Sequence, residues 1–518
     1  MDRKLLFAMG LTIATLMIFH YFNTPDHKNK TTVPVDVRPG QSYKVPTAQD
    51  LAQPINTEID FVDKKISQKE EIKKIDTDLY EISFSNYGGV ISTVDFKKHL
   101  GKKDVPLRTI HHKNFYERED SAFLLALDEK TPYFYNFKET KELEDSHYIT
   151  FEAVTSDWII NKIYKVHKKI YKIDLELVFE PKSKEIKSIQ PRLFFPAPIV
   201  AEISDDKLEG FTMDVSGESV RKVYEKELDQ AWVMPSIFGA EDKYFAHCLE
   251  KDPNSFVQRA FFKFANKKIY PVLQGPVISQ KSSWNISFYV GPKLIDDLTA
   301  VDPRLEGLLY FGWLSWLCKL LLKLLEWIYS FLGNFGFAII LLTILIKMPF
   351  LPLSITSKKK IDEYQRYQPT INRIRMKYKN DLKLQQAEIM KFHKDHNLSP
   401  TTPFFGCLPF LIQMPILFAL YRILNGYLDL YQAPFIGWIT DLSSKDPYYV
   451  LPILMGGSMI WQQLLTPMID ARQKVMMFFL PVIMTYIFTG FPAGLVLYWL
   501  MNNLLMISED YLKKMIYK

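Results

Sequence analysis

The uneven placement of apolar residues along the chain is the feature that most constrains its fold. Residues 24–305 are polar and charged, whereas residues 306–510 contain several long apolar stretches. Averaged over the chain, 24% of residues are charged, a value that would suit a soluble protein. The division instead predicts a soluble domain joined to a polytopic α-helical membrane domain.

The N-terminal segment predicts a membrane anchor. Residues 5–22 form an apolar run directly after Arg3 and Lys4. A cleaved signal peptide is the alternative, but no small-x-small cleavage site follows the run. We therefore expect residues 1–23 to be an uncleaved transmembrane anchor with a cytoplasmic N-terminus. Residues 24–60 lack hydrophobic periodicity and predict a flexible linker.

Residues 61–305 predict a large β domain. Apolar and polar residues alternate around Tyr80, along 173–179 and along 284–290. Period-2 runs that end at Gly, Pro or Asn are typical of antiparallel strands with one buried face. We expect an extracytoplasmic antiparallel β-sandwich.

Little in the sequence favours enzyme chemistry. The three cysteines, Cys248, Cys318 and Cys407, have neither metal-ligand spacing nor the arrangement of a disulfide framework. No acidic or histidine cluster stands out in residues 61–300, and the net charge of +6 is too modest to favour nucleic-acid binding. We expect no enzyme activity, no metal and no cofactor.

Residues 306–333 predict an amphipathic helix that lies along the membrane surface. Its polar residues recur every three or four positions and so form one stripe of a helix. These residues are Gly312, Ser315, Lys319, Lys323, Glu326 and Ser330.

Residues 334–518 predict a core of five transmembrane helices, which makes six with the anchor. The apolar stretches are roughly 335–354, 405–424, 449–466, 475–490 and 492–508. Between the first two lies the polar segment 355–402, for which we expect a helical hairpin outside the membrane.

The charge distribution predicts the orientation of the core. Residues 355–402 contain 11 lysines and arginines, whereas residues 425–448 contain only Lys445. Basic loops remain on the cytoplasmic side. The hairpin and both termini should therefore be cytoplasmic and the β domain extracytoplasmic, provided that 306–333 does not span.

Lys347 is the most unusual residue of the predicted spans. It lies about seven residues, or about 10 Å, from the cytoplasmic end of its helix. A cation at a span's centre costs about 2.5–3.5 kcal/mol on insertion scales. Either the side chain bends towards the inner headgroups, or it faces a water-containing cavity between the helices.

Further polar residues in the spans favour the cavity. With no buried carboxylate partner in view for Lys347, these side chains predict an aqueous groove that attracts acidic polypeptide segments. They are Thr343, Gln413, Gln462, Gln463, Asn502 and Asn503.

Four stretches resemble the YidC/Oxa/Alb insertases, in order and spacing. They are GNFGFAIILLTILIKMPFLPL (333–353), FFGCLPFLIQMPILFALY (404–421), QAPFIGWITDLSSKDPYYVLPILMG (432–456) and FPAGLVLYWLMNNL (491–504). The anchor and β domain resemble the Gram-negative arrangement with a periplasmic β-supersandwich.

The resemblance implies an inner-membrane insertase and chaperone for membrane proteins, acting alone or with the Sec translocon. Its clients, nascent hydrophobic polypeptides, would enter a hydrophilic groove that is open to the cytoplasm and the lipid bilayer and closed to the periplasm. The groove's charge is usually an arginine, where this chain has Lys347. Thr343 and Trp499 fall at or near client-contact positions. The short tail leaves ribosome binding open.

Two other functions are alternatives to membrane protein insertion. A small-solute transporter predicts inverted repeats and paired intramembrane carboxylates, which the sequence does not present. An envelope enzyme with a sugar-processing β domain predicts acidic or histidine clusters, which do not stand out.

Overall fold

The structure is a computed structural model that describes most of the chain after residue 59. The described residues are 60–62, 69–100, 105–110, 123–127, 130–132, 134–183, 186–195, 197–198, 209–213, 220–223, 230–265, 268–309, 314–396, 398, 408–465 and 471–516. The predicted anchor, 1–23, and all but the last residue of the predicted linker lie outside them. The chain divides into two compact units, His27–Tyr310 and the combination of Met1–Asp26 with Phe311–Lys518.

The first unit is built from strands, as the alternating pattern predicts. They are β1 (Asp60–Val62), β2 (Ile72–Asp76), β3 (Tyr80–Ser85), β4 (Val90–Leu100), β5 (Pro106–Ile110), β6 (Leu124–Leu127), β7 (Lys130–Pro132), β8 (Asn136–Glu142), β9 (Ser146–Val154), β10 (Trp158–His167), β11 (Lys172–Pro181), β12 (Pro191–Phe194), β13 (Glu209–Met213), β14 (Arg221–Val223), β15 (Ala231–Val233), β16 (Ile237–Glu241), β17 (Phe245–Lys251), β18 (Arg259–Ala265), β19 (Lys268–Gln274) and β20 (Ser282–Pro292).

These strands form three sheets of seven, nine and four strands. The seven-stranded sheet has the order β1-β7-β6-β12-β19-β18-β15, the nine-stranded sheet β14-β13-β16-β17-β20-β11-β10-β9-β8 and the four-stranded sheet β2-β3-β4-β5. All the pairs are antiparallel except β1 with β7. The antiparallel β-sandwich expected from the sequence is therefore confirmed.

Strand burial follows the period-2 pattern only where one face of the strand is solvated. Side chains of β10 and β11 alternate regularly between buried and partly exposed. Every residue of β16 is buried, as is all of β17 except its last residue. There Gly239 pairs with Cys248, and a Cβ on Gly239 would lie 2.3 Å from the Cβ of Cys248. Strands covered on both sides need small residues at such close approaches.

A buried lysine joins β10 to the turn between β3 and β4. The Lys162 side chain is fully buried, and its Nζ donates to the carbonyls of Gly88 at 2.8 Å, Gly89 at 3.3 Å and Phe123 at 2.7 Å. It also lies 4.9 Å from the centre of the Tyr135 ring. Burial lowers the pKa of Lys162 well below its ordinary value, while the three carbonyls favour the ammonium form. The sequence analysis did not single out this lysine.

Replacing Lys162 with alanine should destabilise the first unit, because three buried carbonyls would lose their donor. We expect the free energy of unfolding to fall by about 3 kcal/mol or more. Proteolysis of the full chain in urea measures this loss. Lys165→Ala is the matched control: Lys165 is a partly exposed lysine on the same strand, and its loss should cost less than about 1 kcal/mol. Equal stability of the two variants would contradict a special role for Lys162.

Helices make up the second unit. They are α2 (Ser315–Leu332), α3 (Phe335–Lys377), α4 (Leu382–Asp395), α5 (Leu408–Gly426), α6 (Val450–Leu465), α7 (Ala471–Phe488) and α8 (Ala493–Ile516). Helix α1 (Ile295–Val301) and a 3-10 helix at Pro303–Leu308 belong to the end of the first unit.

The predicted span 335–354 and the first arm of the predicted hairpin are one continuous helix. Helix α3 has 43 residues, which corresponds to a length of about 64 Å. Its proline residues at 349, 352 and 369 do not interrupt it. Asp381 begins α4 by accepting hydrogen bonds from the backbone N–H groups of Lys383 and Leu384, each at 3.0 Å.

The described helices include one that is long and apolar enough to cross a membrane by length and composition. This is the segment Phe335–Pro352, and the shorter apolar helices are Val450–Leu465 and Phe479–Phe488. The expected count of six transmembrane helices therefore stays a prediction.

Candidate functional site

Helices α3 and α8 pack side by side in a constant register. Lys347 contacts Asn502, and Ser354 contacts Glu509, with 155 positions between the members of each pair. Gly494 lies beside Ile339 at the same separation, since a Cβ there would be 3.2 Å from Ile339 Cδ1. Because the contacts follow the same order along both helices, α3 and α8 run in the same direction.

A polar cluster lies within this apolar contact. We call Lys347, Asn502, Ser354 and Glu509 the Lys347 cluster. Lys347 Nζ lies 3.1 Å from Asn502 Oδ1, 3.3 Å from the Asn502 carbonyl oxygen and 3.5 Å from Glu509 Oε1. The Ser354 hydroxyl donates to Glu509 Oε2 at 2.9 Å. The Lys347 side chain is 16% exposed and that of Glu509 only 5%.

The expectation that Lys347 has no buried carboxylate partner is therefore wrong. Sequence analysis placed Glu509 in the C-terminal tail, whereas α8 continues to Ile516. The missed signal is helical spacing: Glu509 follows Asn502, and Ser354 follows Lys347, by seven residues. Residues two turns apart lie on one face of a helix, so each pair could have been placed on one face of its own helix.

The two predicted client-contact residues are buried in this structure. Thr343 is 2% exposed, and its hydroxyl donates to the carbonyl of Ile339 at 2.7 Å. Trp499 is 8% exposed, with its ring 5.3 Å from that of Phe488. Among the described residues, the Trp499 indole N–H has no hydrogen-bond acceptor. Either side chain would have to become exposed to touch another polypeptide.

Among the predicted polar lining residues, Asn502 contacts Lys347. Asn503 donates to the Ser458 hydroxyl on α6 at 3.0 Å, and Gln413 donates to the Tyr498 hydroxyl. Gln462 lies 3.6 Å from Met506 Sδ. Gln463 Oε1 is buried without a hydrogen-bond donor among the described residues. The side chains of Asn503, Gln413 and Gln462 thus join neighbouring helices.

Two aspartates organise the connection between α5 and α6. Asp441 accepts from the backbone N–H groups of Gln432 at 3.0 Å and Ser443 at 2.8 Å. Asp446, 2% exposed, accepts from the Trp438 indole at 3.0 Å and the Leu451 N–H at 2.7 Å. These contacts of the two carboxylates lie within this connection and the first turn of α6.

The same connection covers the first turns of α3 and α8. Asn334 caps α3 and donates to the carbonyls of Pro434 at 3.2 Å and Phe435 at 3.1 Å. The N–H groups of Ala493 and Gly494 donate to the carbonyls of Ser444 at 2.7 Å and Leu442 at 3.0 Å. The helix ends remote from the Lys347 cluster are thus closed by hydrogen-bonded backbone.

Helix α2 has two apolar faces beside its predicted polar stripe. One face is buried in the unit and consists of Cys318, Leu321, Leu322, Leu325 and Ile328. A second apolar set is exposed and comprises Trp316, Leu320, Trp327, Phe331 and Leu332. Glu326, from the polar stripe, accepts a hydrogen bond from the Tyr427 hydroxyl. A buried face, an exposed apolar face and lysines between them suit a helix packed on protein beside lipid.

Both units match known protein families. Residues 73–324 match the family described as "YidC periplasmic domain", and residues 327–518 match that described as "60Kd inner membrane protein". The membrane protein insertase YidC of Syntrophus aciditrophicus is 33% identical over 99% of both chains, and that of Geotalea daltonii is 33% identical over 98% of both.

This chain belongs to the YidC family of membrane protein insertases.

A crystal structure described as an active YidC insertase also matches, with 17% identity, a TM-score of 0.39 and coverage of 86% of this chain and 94% of that one. Family membership rests on the sequence matches, which span both units. The YidC family explains why a β domain and an apolar helical unit share one chain. Membership of the family does not by itself assign a role to the Lys347 cluster.

The Lys347–Glu509 pair should show strong coupling in a double-mutant cycle. Lys347→Met would leave a buried carboxylate without its counter-charge, a change that typically costs about 3–5 kcal/mol. Adding Glu509→Gln removes that charge, so the double variant should regain much of the loss. Thermal unfolding of the purified chain in lipid nanodiscs measures each step. Strictly additive losses would contradict a direct interaction.

Proposed function

We propose that this chain inserts and folds integral membrane proteins in the bacterial inner membrane, with its β domain in the periplasm. It is an insertase rather than an enzyme, in agreement with relatives that match along the whole chain. Neither a solute transporter nor a sugar-processing enzyme is favoured by these relatives.

The proposed route for clients is a hydrophilic groove that contains Lys347 and opens to the cytoplasm. One observation carries this proposal: a cation, an amide and a carboxylate lie together where α3 packs against α8. A polar site at that depth offers hydrogen bonds to a polypeptide that has not yet entered lipid. The hydrogen-bonded connection 427–449 at the other end supports a groove closed towards the periplasm.

The proposed topology has six spans with both termini in the cytoplasm. The parallel course of α3 and α8 supports it, because alternating spans at 335–354, 408–426, 450–465, 471–488 and 493–516 give the first and last the same direction. The basic hairpin at the end of α3 and in α4 then lies in the cytoplasm, as its charge requires.

The proposed partners are nascent hydrophobic polypeptides, the lipid bilayer and the Sec translocon, and ribosome binding is left open by the short tail. The hairpin has exposed apolar side chains among its basic residues, including Met376, Leu382 and Met390. Such a surface suits a first contact with apolar clients. We propose that the hairpin receives clients before they reach Lys347.

Depletion of the protein from its host tests the activity itself. Small one-span and two-span clients should accumulate on the cytoplasmic side of the membrane after depletion, because their insertion requires this chain. Protease protection of the clients measures their insertion. Normal insertion in depleted cells would refute the proposal.

Crosslinking tests the route. A photoreactive residue at position 343 or 499 should capture a stalled client if the groove opens enough to expose these buried side chains. Position 321 on α2, which is also buried, is the matched control and should give no product. Capture at 321 alone would contradict the groove.

The charge at position 347 should govern activity. Lys347→Arg keeps the cation and should retain most insertion, whereas Lys347→Glu reverses it and brings two carboxylates together next to Asn502. We expect Lys347→Glu to reduce insertion by about tenfold or more, since one unfavourable close charge contact costs several kcal/mol. Insertion of a one-span client in depleted cells that express each variant gives the measurement. A silent Lys347→Glu would rule out an electrostatic role for the groove.

A further inference from the structure

Two contacts of Glu509 differ in length. Its Oε2 accepts from the Ser354 hydroxyl at 2.9 Å, an ordinary hydrogen-bond length. Its Oε1 lies 3.5 Å from Lys347 Nζ, which is longer than the roughly 2.7–2.9 Å of a tight charge-assisted bond. The serine therefore keeps the carboxylate in place, while the contact with the lysine is loose.

The cation is the more accessible member of the pair. The Lys347 side chain is 16% exposed, compared with 5% for Glu509. A polypeptide that enters from the exposed side would thus meet the ammonium group before the carboxylate. Lysine is a compact charge on a flexible stem and can turn from one anion to another.

The contact with Asn502 supports such an exchange. Asn502 offers Lys347 its side-chain oxygen at 3.1 Å and its backbone carbonyl at 3.3 Å. These neutral acceptors would still solvate the ammonium after the carboxylate of Glu509 has been displaced. Ser354 would continue to donate to Glu509. Both charged groups keep hydrogen-bond partners, so the exchange does not leave either charge unsolvated.

We propose that Glu509 is a specificity-determining residue for client charge. It acts as a tethered counter-ion that must give way when an acidic client side chain binds Lys347. It therefore weakens the attraction of the groove for acidic segments and lets neutral and basic segments pass. This inference rests on the proposed insertase function.

The test compares three versions of one client in proteoliposomes that contain the full chain. A one-span model protein carries Asp, Asn or Lys at a single position at the end of its apolar segment, and protease protection measures its insertion. With Glu509→Gln, Lys347 keeps its charge and loses its counter-ion. We expect the Asp-to-Asn insertion ratio to rise about fivefold, or about 1 kcal/mol, because the client carboxylate no longer competes with Glu509 for the ammonium group, and the Lys-to-Asn ratio to fall.

Asp510→Asn is the matched control, because it removes the same charge from the next residue of α8. It should leave both ratios unchanged. The double variant Lys347→Gln with Glu509→Gln removes both charges and should lower the Asp-to-Asn ratio below that of the unmodified chain. If Glu509→Gln does not fold, Glu509→Asp withdraws the carboxylate by one methylene group and should raise the ratio by a smaller factor.

The outcomes separate this inference from the proposed function. If Glu509→Gln lowers the insertion of all three clients equally, or leaves both ratios unchanged, Glu509 only joins α3 to α8 and the specificity role is overturned. If the unmodified chain does not insert the Asn client above the level of protein-free liposomes, the insertase function itself fails.

Discussion

The cost of burying a charge among apolar helices is the constraint on which the helical unit depends. Lys347 can be accommodated only where hydrogen-bond acceptors and a counter-charge reach it, and α8 supplies both through Asn502 and Glu509. The same register places Gly494 against Ile339, where an added Cβ would lie 3.2 Å from Ile339 Cδ1. The contacts that join α3 to α8 are thus also the contacts that solvate Lys347.

The fold was predictable wherever one physical pattern dominated. Alternation along residues 173–179 correctly indicated β11, a strand with one buried face. It says nothing of β16 and β17, which are covered on both faces and therefore carry no alternation. Lys162 shares the buried face of β10 with Ile160 and Tyr164, but its acceptors could not be predicted, because the carbonyls of residues 88, 89 and 123 are backbone groups that only the folded chain brings to it.

The cation of the site could be predicted from the sequence, but the residues that surround it could not. Lys347 stood out because a charge in an apolar run is rare. Glu509 did not, since it lies near other charges at the end of the chain and looks like part of a solvated tail. Thr343, Gln413 and Asn503 were grouped with Lys347 by residue type, whereas the structure pairs each with its own neighbour. Polar residues in apolar helices mark contacts, and sequence alone does not say which residues they contact.

The separation of the two charges along the chain has a consequence for biogenesis. Glu509 follows Lys347 by 162 residues, so at about 5–20 residues per second the ribosome needs about 8–30 s to make the second charge after the first. During that interval Asn502 and Ser354 cannot form the cluster either, because α8 does not yet exist. The growing chain must therefore shelter a cation in an apolar helix by means other than its final structure. An insertase of this design would itself be a demanding substrate for insertion.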